Sequence, residues 1–191
     1  MTSASSSFPD YLALCDELCP FKPSLGPKTI FPTFDPSPRS FNDEVMSIQF
    51  NQDVPMRDGV RLRADIFLPL DVQPDQRLPL VLAITPYGKQ NPFDVSAFPP
   101  SRDFDPGFNG VSMSKYTVFE GSDPACWTRK GFAYVAIDSR GSFASEGSKA
   151  NFASKADGVD GYDAIEHFAG LPWSNGHVGM IGASALGAIQ W

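Results

Sequence analysis

Alternating apolar and polar residues predict a β-hairpin early in the chain. Residues 46–50 alternate between apolar and polar side chains, and a second alternation runs over residues 60–68. Successive side chains of a strand point to opposite faces of the sheet, so each segment has the pattern of a strand with one buried face. Asp58 and Gly59 lie between the two segments and are typical of tight turns, which predicts an antiparallel hairpin turning at the sequence RDG.

Two later apolar runs have no alternation. They are LPLVLAI at residues 78–84 and GFAYVAI at residues 131–137. Continuous apolar character is expected of strands that are covered on both faces, as in a parallel sheet flanked by helices. The connecting segment, residues 85–130, is rich in Pro, Phe, Asp and Gly. It is too long for a plain loop, so we expect a helix and a surface excursion within it.

A helix is predicted after the second run, in SKADGVDGYDAIEHFAGLP. Ser154 and Asp157 have the spacing of a capping box, and Gly170 and Pro172 are typical helix-ending residues. The helical period places four apolar residues on one face: Val159, Tyr162, Ile165 and Phe168. A fifth strand, HVGMIG, is predicted at residues 177–182.

These elements predict an α/β fold, a mostly parallel sheet with an antiparallel hairpin at its N-terminal side. Residues 1–43 are rich in Ser, Pro and Phe and have no sustained period, so we interpret them as an extended N-terminal arm. Residues 44–191 are then the domain proper.

Composition and charge narrow the possible partners. Of the 191 residues, 42% are hydrophobic, and the net charge is −7, so an anionic partner such as nucleic acid or an acidic membrane is not expected. The N-terminus has no basic segment followed by an apolar run, and no run approaches the roughly 20 apolar residues of a membrane span, which favours a cytoplasmic location.

The cysteines and histidines do not predict a metal site or any cofactor. Cys15, Cys19 and Cys126 are odd in number and form no ligand cluster with the two histidines. We interpret them as reduced packing residues. Redox chemistry at the CDELC pair is a weak alternative because no βαβ unit surrounds it.

The residues around Ser184 are close to the nucleophile elbow, G-x-S-x-G, in which a tight strand-to-helix turn exposes a serine hydroxyl. Gly182 and Gly187 would let the backbone and the new helix approach the strand closely. The second glycine is one position late. On these residues alone, a plain strand-to-helix connection is an equally good interpretation.

A second candidate lies in TPYGK, residues 85–89, at the carboxyl end of the first apolar run. Open α/β sheets bind ligands at this edge, so Tyr87 can turn its phenol toward the point that Ser184 faces. A packing role is the alternative for a tyrosine at such a position.

Four segments together resemble one known family. VPMRDGVRLRADIFLP, TPYGK, GFAYVAIDSRGSFASEG and PWSNGHVGMIGASALGAIQW follow one another as in the cocaine esterase and Xaa-Pro dipeptidyl peptidase family, the CocE/NonD-type hydrolases. The resemblance covers residues 44–191 except about 90–118. It implies an α/β-hydrolase fold, Ser184 as the nucleophile, and an oxyanion hole made by the Tyr87 hydroxyl and the Ala185 N–H. The family usually has an aromatic residue where Ala185 stands, so a wall of the acyl pocket would be missing.

The segment DSRGSFASEG, residues 138–147, is the second signature of the resemblance. Asp138, Arg140 and Glu146 would either contact substrate or form an ion-pair network that fixes the loop, and we favour the network. The resemblance assigns no role to His177 or Asp94.

A serine nucleophile needs a histidine base, and neither histidine fits. His177 precedes Ser184 along an extended strand at a distance of roughly 20 Å, and His167 lies at the far end of a crossover helix. In this fold the acid and the histidine follow the serine, so we expect both beyond residue 191. On this interpretation the sequence is an N-terminal fragment, and we expect it to be poorly soluble and inactive by itself.

The sequence therefore predicts a serine hydrolase that cleaves ester or amide bonds by acyl transfer to water, acting on a small-molecule ester, amide or peptide. Two alternatives stay open. One is a truncated hydrolase-like binding module without catalysis, and the other is dipeptidyl peptidase specificity. The sequence does not predict an oligomeric state.

Overall fold

The computed structural model describes residues 37–91, 113–148 and 154–190. Within them, six strands form one sheet and three helices pack around it. The strands are β1 (Arg39–Asn42), β2 (Met46–Pro55), β3 (Arg61–Pro69), β4 (Leu78–Thr85), β5 (Ala133–Asp138) and β6 (Ser174–Met180). The helices are α1 (Pro124–Thr128), α2 (Lys155–Ala169) and α3 (Ser184–Ala188). Cys15, Cys19 and Asp94 lie outside the described residues, as does most of the predicted N-terminal arm.

The predicted hairpin is confirmed. β2 and β3 pair antiparallel with Val54 opposite Leu62, and the Met56 N–H donates to the Val60 carbonyl across the turn at 2.9 Å. The last part of the predicted arm forms β1, which pairs antiparallel with β2. This strand was not predicted, because its four residues are all exposed and carry no alternation.

The parallel part of the sheet is also confirmed. The strand order is β1-β2-β3-β5-β4-β6, and β4 pairs in parallel with both β5 and β6. All six residues of β5 are buried, as are seven of the eight in β4. Because β4 and β5 are buried on both faces of the sheet, their sequences are apolar at successive positions.

Helix α2 follows its predicted limits, and its predicted face is wrong at Tyr162. The Ser154–Asp157 capping box is present and Gly170 is the C-cap. However, Tyr162 is 58% exposed. The buried positions include Gly161 and Ala164, whose small size lets the helix lie close to the sheet. The remaining buried residues of α2 are Asp157, Asp160 and Phe168.

Two apolar clusters lie on opposite faces of the sheet. On β4, Leu80 and Leu82 belong to the cluster that also contains Phe168 of α2, and Val81 belongs to the cluster that also contains Ala125 of α1. This division follows from the alternation of side chains along a strand. Among the helices of the described residues, none combines the length and apolar character needed to cross a bilayer.

Candidate active site

The carboxyl ends of the three parallel strands meet at one edge of the sheet. Thr85 at the end of β4 is the register partner of Asp138 at the end of β5, and the Ser139 N–H donates to the Thr85 carbonyl at 2.9 Å. After β6, the Ile181 N–H donates to the Leu82 carbonyl at 2.9 Å, which keeps the next residues on the same side. Polar residues following these strands are therefore brought toward a shared edge.

Ser184 lies in a strained bend between β6 and α3. Ala183 is extended, with φ −98° and ψ 160°, and Ser184 itself has φ +48°. The left-handed region is unfavourable for a residue with a side chain, so the surrounding structure must hold Ser184 there. The residue is exposed and is the first residue of α3.

Close packing around this bend requires glycine. A Cβ on Gly182 would lie 2.2 Å from the Leu186 Cβ, and a Cβ on Gly187 would lie 3.3 Å from the Gly182 carbonyl oxygen. The first distance is far below van der Waals contact, and the second is tight. Both glycines thus allow α3 to lie close to the backbone that follows β6.

Tyr87 follows β4 at the same edge. Its backbone N–H donates to the Thr85 Oγ1 at 3.1 Å, and its ring packs edge-on against Phe119, with ring centroids 5.1 Å apart. Burial raises the pKa of the Tyr87 hydroxyl, and the Glu120 carboxylate raises it further by its charge and by a hydrogen bond. The hydroxyl is therefore a protonated donor at neutral pH.

Glu120 links the predicted site residues, although the sequence did not identify it. The Ala185 N–H donates to the Glu120 Oε2 at 3.1 Å, and the Ala183 N–H donates to the Glu120 carbonyl at 3.2 Å. Both residues that flank Ser184 are thus hydrogen-bonded to Glu120. The Glu120 carboxylate interacts with Tyr87 as well, so Tyr87 and Ala185 share one polar neighbour.

A buried ion cluster lies beneath the loop that carries Tyr87. The Lys89 Nζ lies 3.4 Å from the Asp65 Oδ1 and 3.3 Å from the Asp138 Oδ2, and all three side chains are fully buried. The Lys89 Nζ also donates to the Asn51 Oδ1 at 2.6 Å, and the Lys89 N–H donates to the Asp138 Oδ1 at 2.8 Å. Lys89 thereby ties the segment after β4 to β3 and β5.

The cluster has two carboxyl groups for one ammonium group. Burial raises the pKa of Asp65 to about 6, although the charge of Lys89 acts in the opposite direction. Burial also raises the pKa of Asp138, again opposed by Lys89. Within the described residues, the Asp65 Oδ2 is buried without a hydrogen-bond partner, which is consistent with the cost of holding a full second negative charge there.

The three charged residues of DSRGSFASEG pair with separate partners. Asp138 pairs with Lys89, as described above. Arg140 binds Asp160 through two hydrogen bonds, of 2.8 and 2.6 Å, and also binds Asp58. Glu146 binds Arg61, and this contact lowers the Glu146 pKa. These pairs connect the loop after β5 to the hairpin and to α2.

Both histidines lie outside the cluster of contacts around Ser184 that the structure describes. His167 is near the end of α2, where its ring contacts Phe168 at 5.1 Å between centroids and burial lowers its pKa. His177 is exposed in β6, and its N–H donates to the Asn175 Oδ1 at 2.9 Å.

With this geometry established, comparison with known proteins decides the family. Residues 58–191 match the X-Pro dipeptidyl-peptidase (S15) family. The chain belongs to this family. Among curated relatives, the cocaine esterase of Rhodococcus sp. (strain MB1 Bresler) is 34% identical over 145 residues, covering 76% of this chain. The alignment covers 21% of the esterase, so the chain spans about a fifth of that relative's length.

Two solved structures superimpose on most of this chain. A CocE/NonD family hydrolase from Staphylococcus aureus superimposes with a TM-score of 0.65 at 27% identity, covering 85% of this chain and 29% of that protein. An aminopeptidase from a marine sediment Thaumarchaeota archaeon gives a TM-score of 0.54 at 26% identity, covering 83% and 25%. The expected α/β-hydrolase fold and the resemblance to CocE/NonD-type hydrolases are thereby confirmed.

Proposed function

We propose that this S15-family chain supplies the nucleophile and the oxyanion hole of a serine hydrolase that cleaves ester or amide bonds. The observation that carries the proposal is the φ of +48° at Ser184, between an extended residue and a helix. A strained serine at a strand-to-helix bend is the defining feature of a nucleophile elbow. Membership in a family with esterase and peptidase relatives supports the same chemistry.

In the proposed reaction, the Ser184 Oγ attacks the substrate carbonyl carbon while a histidine base accepts the hydroxyl proton. The Tyr87 hydroxyl and the Ala185 N–H donate hydrogen bonds to the oxyanion that forms. The base and its carboxylate partner come from chain that follows residue 191, in keeping with the order serine, acid, histidine in this fold. Water then releases the acyl group from Ser184.

The test uses a fluorophosphonate, a reagent that labels activated serines covalently. It is applied to the full-length protein that contains this chain. We expect labelling and hydrolysis of p-nitrophenyl acetate to be lost in Ser184→Ala, the latter by about 10³-fold or more. Ser148→Ala is the matched control, because Ser148 is an exposed serine in a loop and its loss should change neither measurement. Labelling that persists in Ser184→Ala would rule out Ser184 as the nucleophile.

Substrate preference is tested separately with the same protein. We expect ester and amide substrates to be cleaved in preference to Xaa-Pro dipeptide amides. Turnover of an Xaa-Pro p-nitroanilide with a higher kcat/KM than simple esters would instead assign dipeptidyl peptidase specificity.

A further inference from the structure

Glu120 interacts with both groups of the proposed oxyanion hole. Its carboxylate oxygen Oε2 accepts the Ala185 N–H at 3.1 Å, which is a normal length for a hydrogen bond of this kind. The charge of the same carboxylate raises the pKa of the Tyr87 hydroxyl, so the Glu120 carboxylate also acts on this group. These are the two donors of the proposed oxyanion hole. A carboxylate oxygen resembles an oxyanion in charge and in its ability to accept both bonds.

The backbone around Glu120 holds the carboxylate in this position. Glu120 has φ +59°, a conformation unfavourable for a residue with a side chain. The Gly121 N–H donates to the Val118 carbonyl at 3.0 Å, which closes a turn around it, and the Glu120 carbonyl accepts the Ala183 N–H at 3.2 Å. The preceding residue, Phe119, packs on the Tyr87 ring. Glu120 is therefore fixed to both sides of the proposed hole.

The Glu120 side chain is partly accessible to solvent. Glu120 is half-buried, whereas Ser184 and Ala183 beside it are exposed. Rotation about the side-chain bonds of Glu120 would free the Tyr87 hydroxyl and the Ala185 N–H without moving its backbone. The site then has two states. In one state the Glu120 carboxylate fills the oxyanion hole, and in the other the hole is free.

We propose that Glu120 is an internal competitor in this site, which a substrate's carbonyl oxygen must displace from the oxyanion hole before Ser184 can react. The inference rests on the proposed function. Apparent affinity falls by the fraction of molecules in which the hole is free, so Glu120 raises KM for simple uncharged esters. Once substrate has displaced the carboxylate, the chemical step proceeds with the same donors, so kcat is nearly unaffected.

The experiment uses the full-length protein that carries this chain, with p-nitrophenyl butyrate as the uncharged ester. We expect Glu120→Ala to lower KM by about tenfold while kcat changes by less than about threefold, because a charge-assisted hydrogen bond to Glu120 no longer competes. Glu120→Gln keeps the shape but offers a weaker neutral acceptor, so its KM should lie between those of wild type and Glu120→Ala. Glu120→Gln is also the variant to measure if Glu120→Ala does not fold. Glu166→Ala, which removes an exposed carboxylate near the end of α2, should match wild type.

The rate of fluorophosphonate labelling at Ser184 separates this inference from the proposed function. Faster labelling in Glu120→Ala than in wild type supports the inference. Equal Ser184 labelling and equal KM in wild type and both Glu120 variants overturn it while leaving the proposed function intact. A fall in kcat in Glu120→Ala also overturns it, since Glu120 would then assist the reaction. Absence of Ser184 labelling in every variant overturns both proposals.

Discussion

The Cα of Gly182 faces the Leu186 side chain so closely that a Cβ on Gly182 would lie 2.2 Å from the Leu186 Cβ. The same Cβ would also lie 2.9 Å from the Leu186 carbonyl carbon, which is part of the α3 backbone. Since backbone cannot move aside as a flexible side chain can, the bend at Ser184 depends on the absence of a side chain at residue 182.

Gly182→Ala should therefore displace α3 and the bend that holds Ser184. We expect a loss of about 1–3 kcal/mol in the free energy of unfolding and a large loss of Ser184 labelling. Thermal unfolding and fluorophosphonate labelling measure the two effects. Gly158→Ala is the control, because its Cβ would meet open space on α2, and alanine in a helix should slightly raise the melting temperature. A Gly182→Ala protein with wild-type stability and labelling would show that the bend tolerates a side chain.

Tyr87→Phe removes the hydroxyl and keeps the ring that packs on Phe119. Loss of one oxyanion donor should reduce kcat by about 10²–10³-fold without raising KM, because the donor stabilises charge that forms only in the transition state. Steady-state kinetics on p-nitrophenyl acetate measure both constants. Tyr162→Phe makes the same change at an exposed position and should have no effect. A decrease in kcat smaller than about threefold would remove Tyr87 from the proposed hole.

Lys89→Met should destabilise the protein strongly, because it leaves Asp65 and Asp138 buried without their shared cation. Removing one partner of a buried ion cluster costs about 3–5 kcal/mol. The melting temperature is the measurement. Lys155→Met, at the exposed first residue of α2, is the matched control and should leave the melting temperature unchanged. Equal melting temperatures for Lys89→Met and wild type would contradict the structural role of the cluster.

The raised pKa of Asp65 predicts a pH dependence of stability. Its pKa is about 6 in the folded protein and 3.8 in the reference state, so the folded protein binds more protons between these values. The contribution of Asp65 to stability is therefore full below about pH 4 and is lost as pH rises to about 6, on the order of 3 kcal/mol. Burial raises the pKa of Asp138 as well, so its contribution changes with pH in the same direction.

Comparison with Asp65→Asn isolates this effect, since asparagine does not titrate and Asp138 is present in both proteins. Urea unfolding at pH 4, 5, 6 and 7 should show the stability difference, wild type minus Asp65→Asn, decreasing as pH rises. A difference that is constant over this range would show that Asp65 titrates at its ordinary pKa in the fold.

Several elements were predictable from sequence because their signals are local. The hairpin, β4, β5 and the limits of α2 each depend on side-chain period, turn residues or caps that lie within the element. The face of α2 was predicted wrongly at Tyr162, because large apolar residues were assumed to be buried. The sheet instead accepts the small residues Gly161 and Ala164. β1 was missed because pairing with β2, and not its own pattern, makes it a strand.

The burial of Asp65 was not predictable from the local pattern. Asp65 holds a polar position in the alternation of residues 60–68, which predicts exposure, whereas it is fully buried in β3 and requires a partner there. That the partner is Lys89 depends on β3 lying beside β5 and β5 beside β4, which no local pattern specifies.

By itself, the sequence determined the succession of strands β2 to β6 along the chain, the capped α2 and the glycine-flanked Ser184, since these follow from the chemistry of neighbouring residues. Only the tertiary structure decided that Glu120 lies between Tyr87 and Ala185, and that Lys89 is buried between Asp65 and Asp138. The physical reason is that these contacts join residues far apart in the chain, and burial and charge are set by which strands and loops meet at the edge of the sheet.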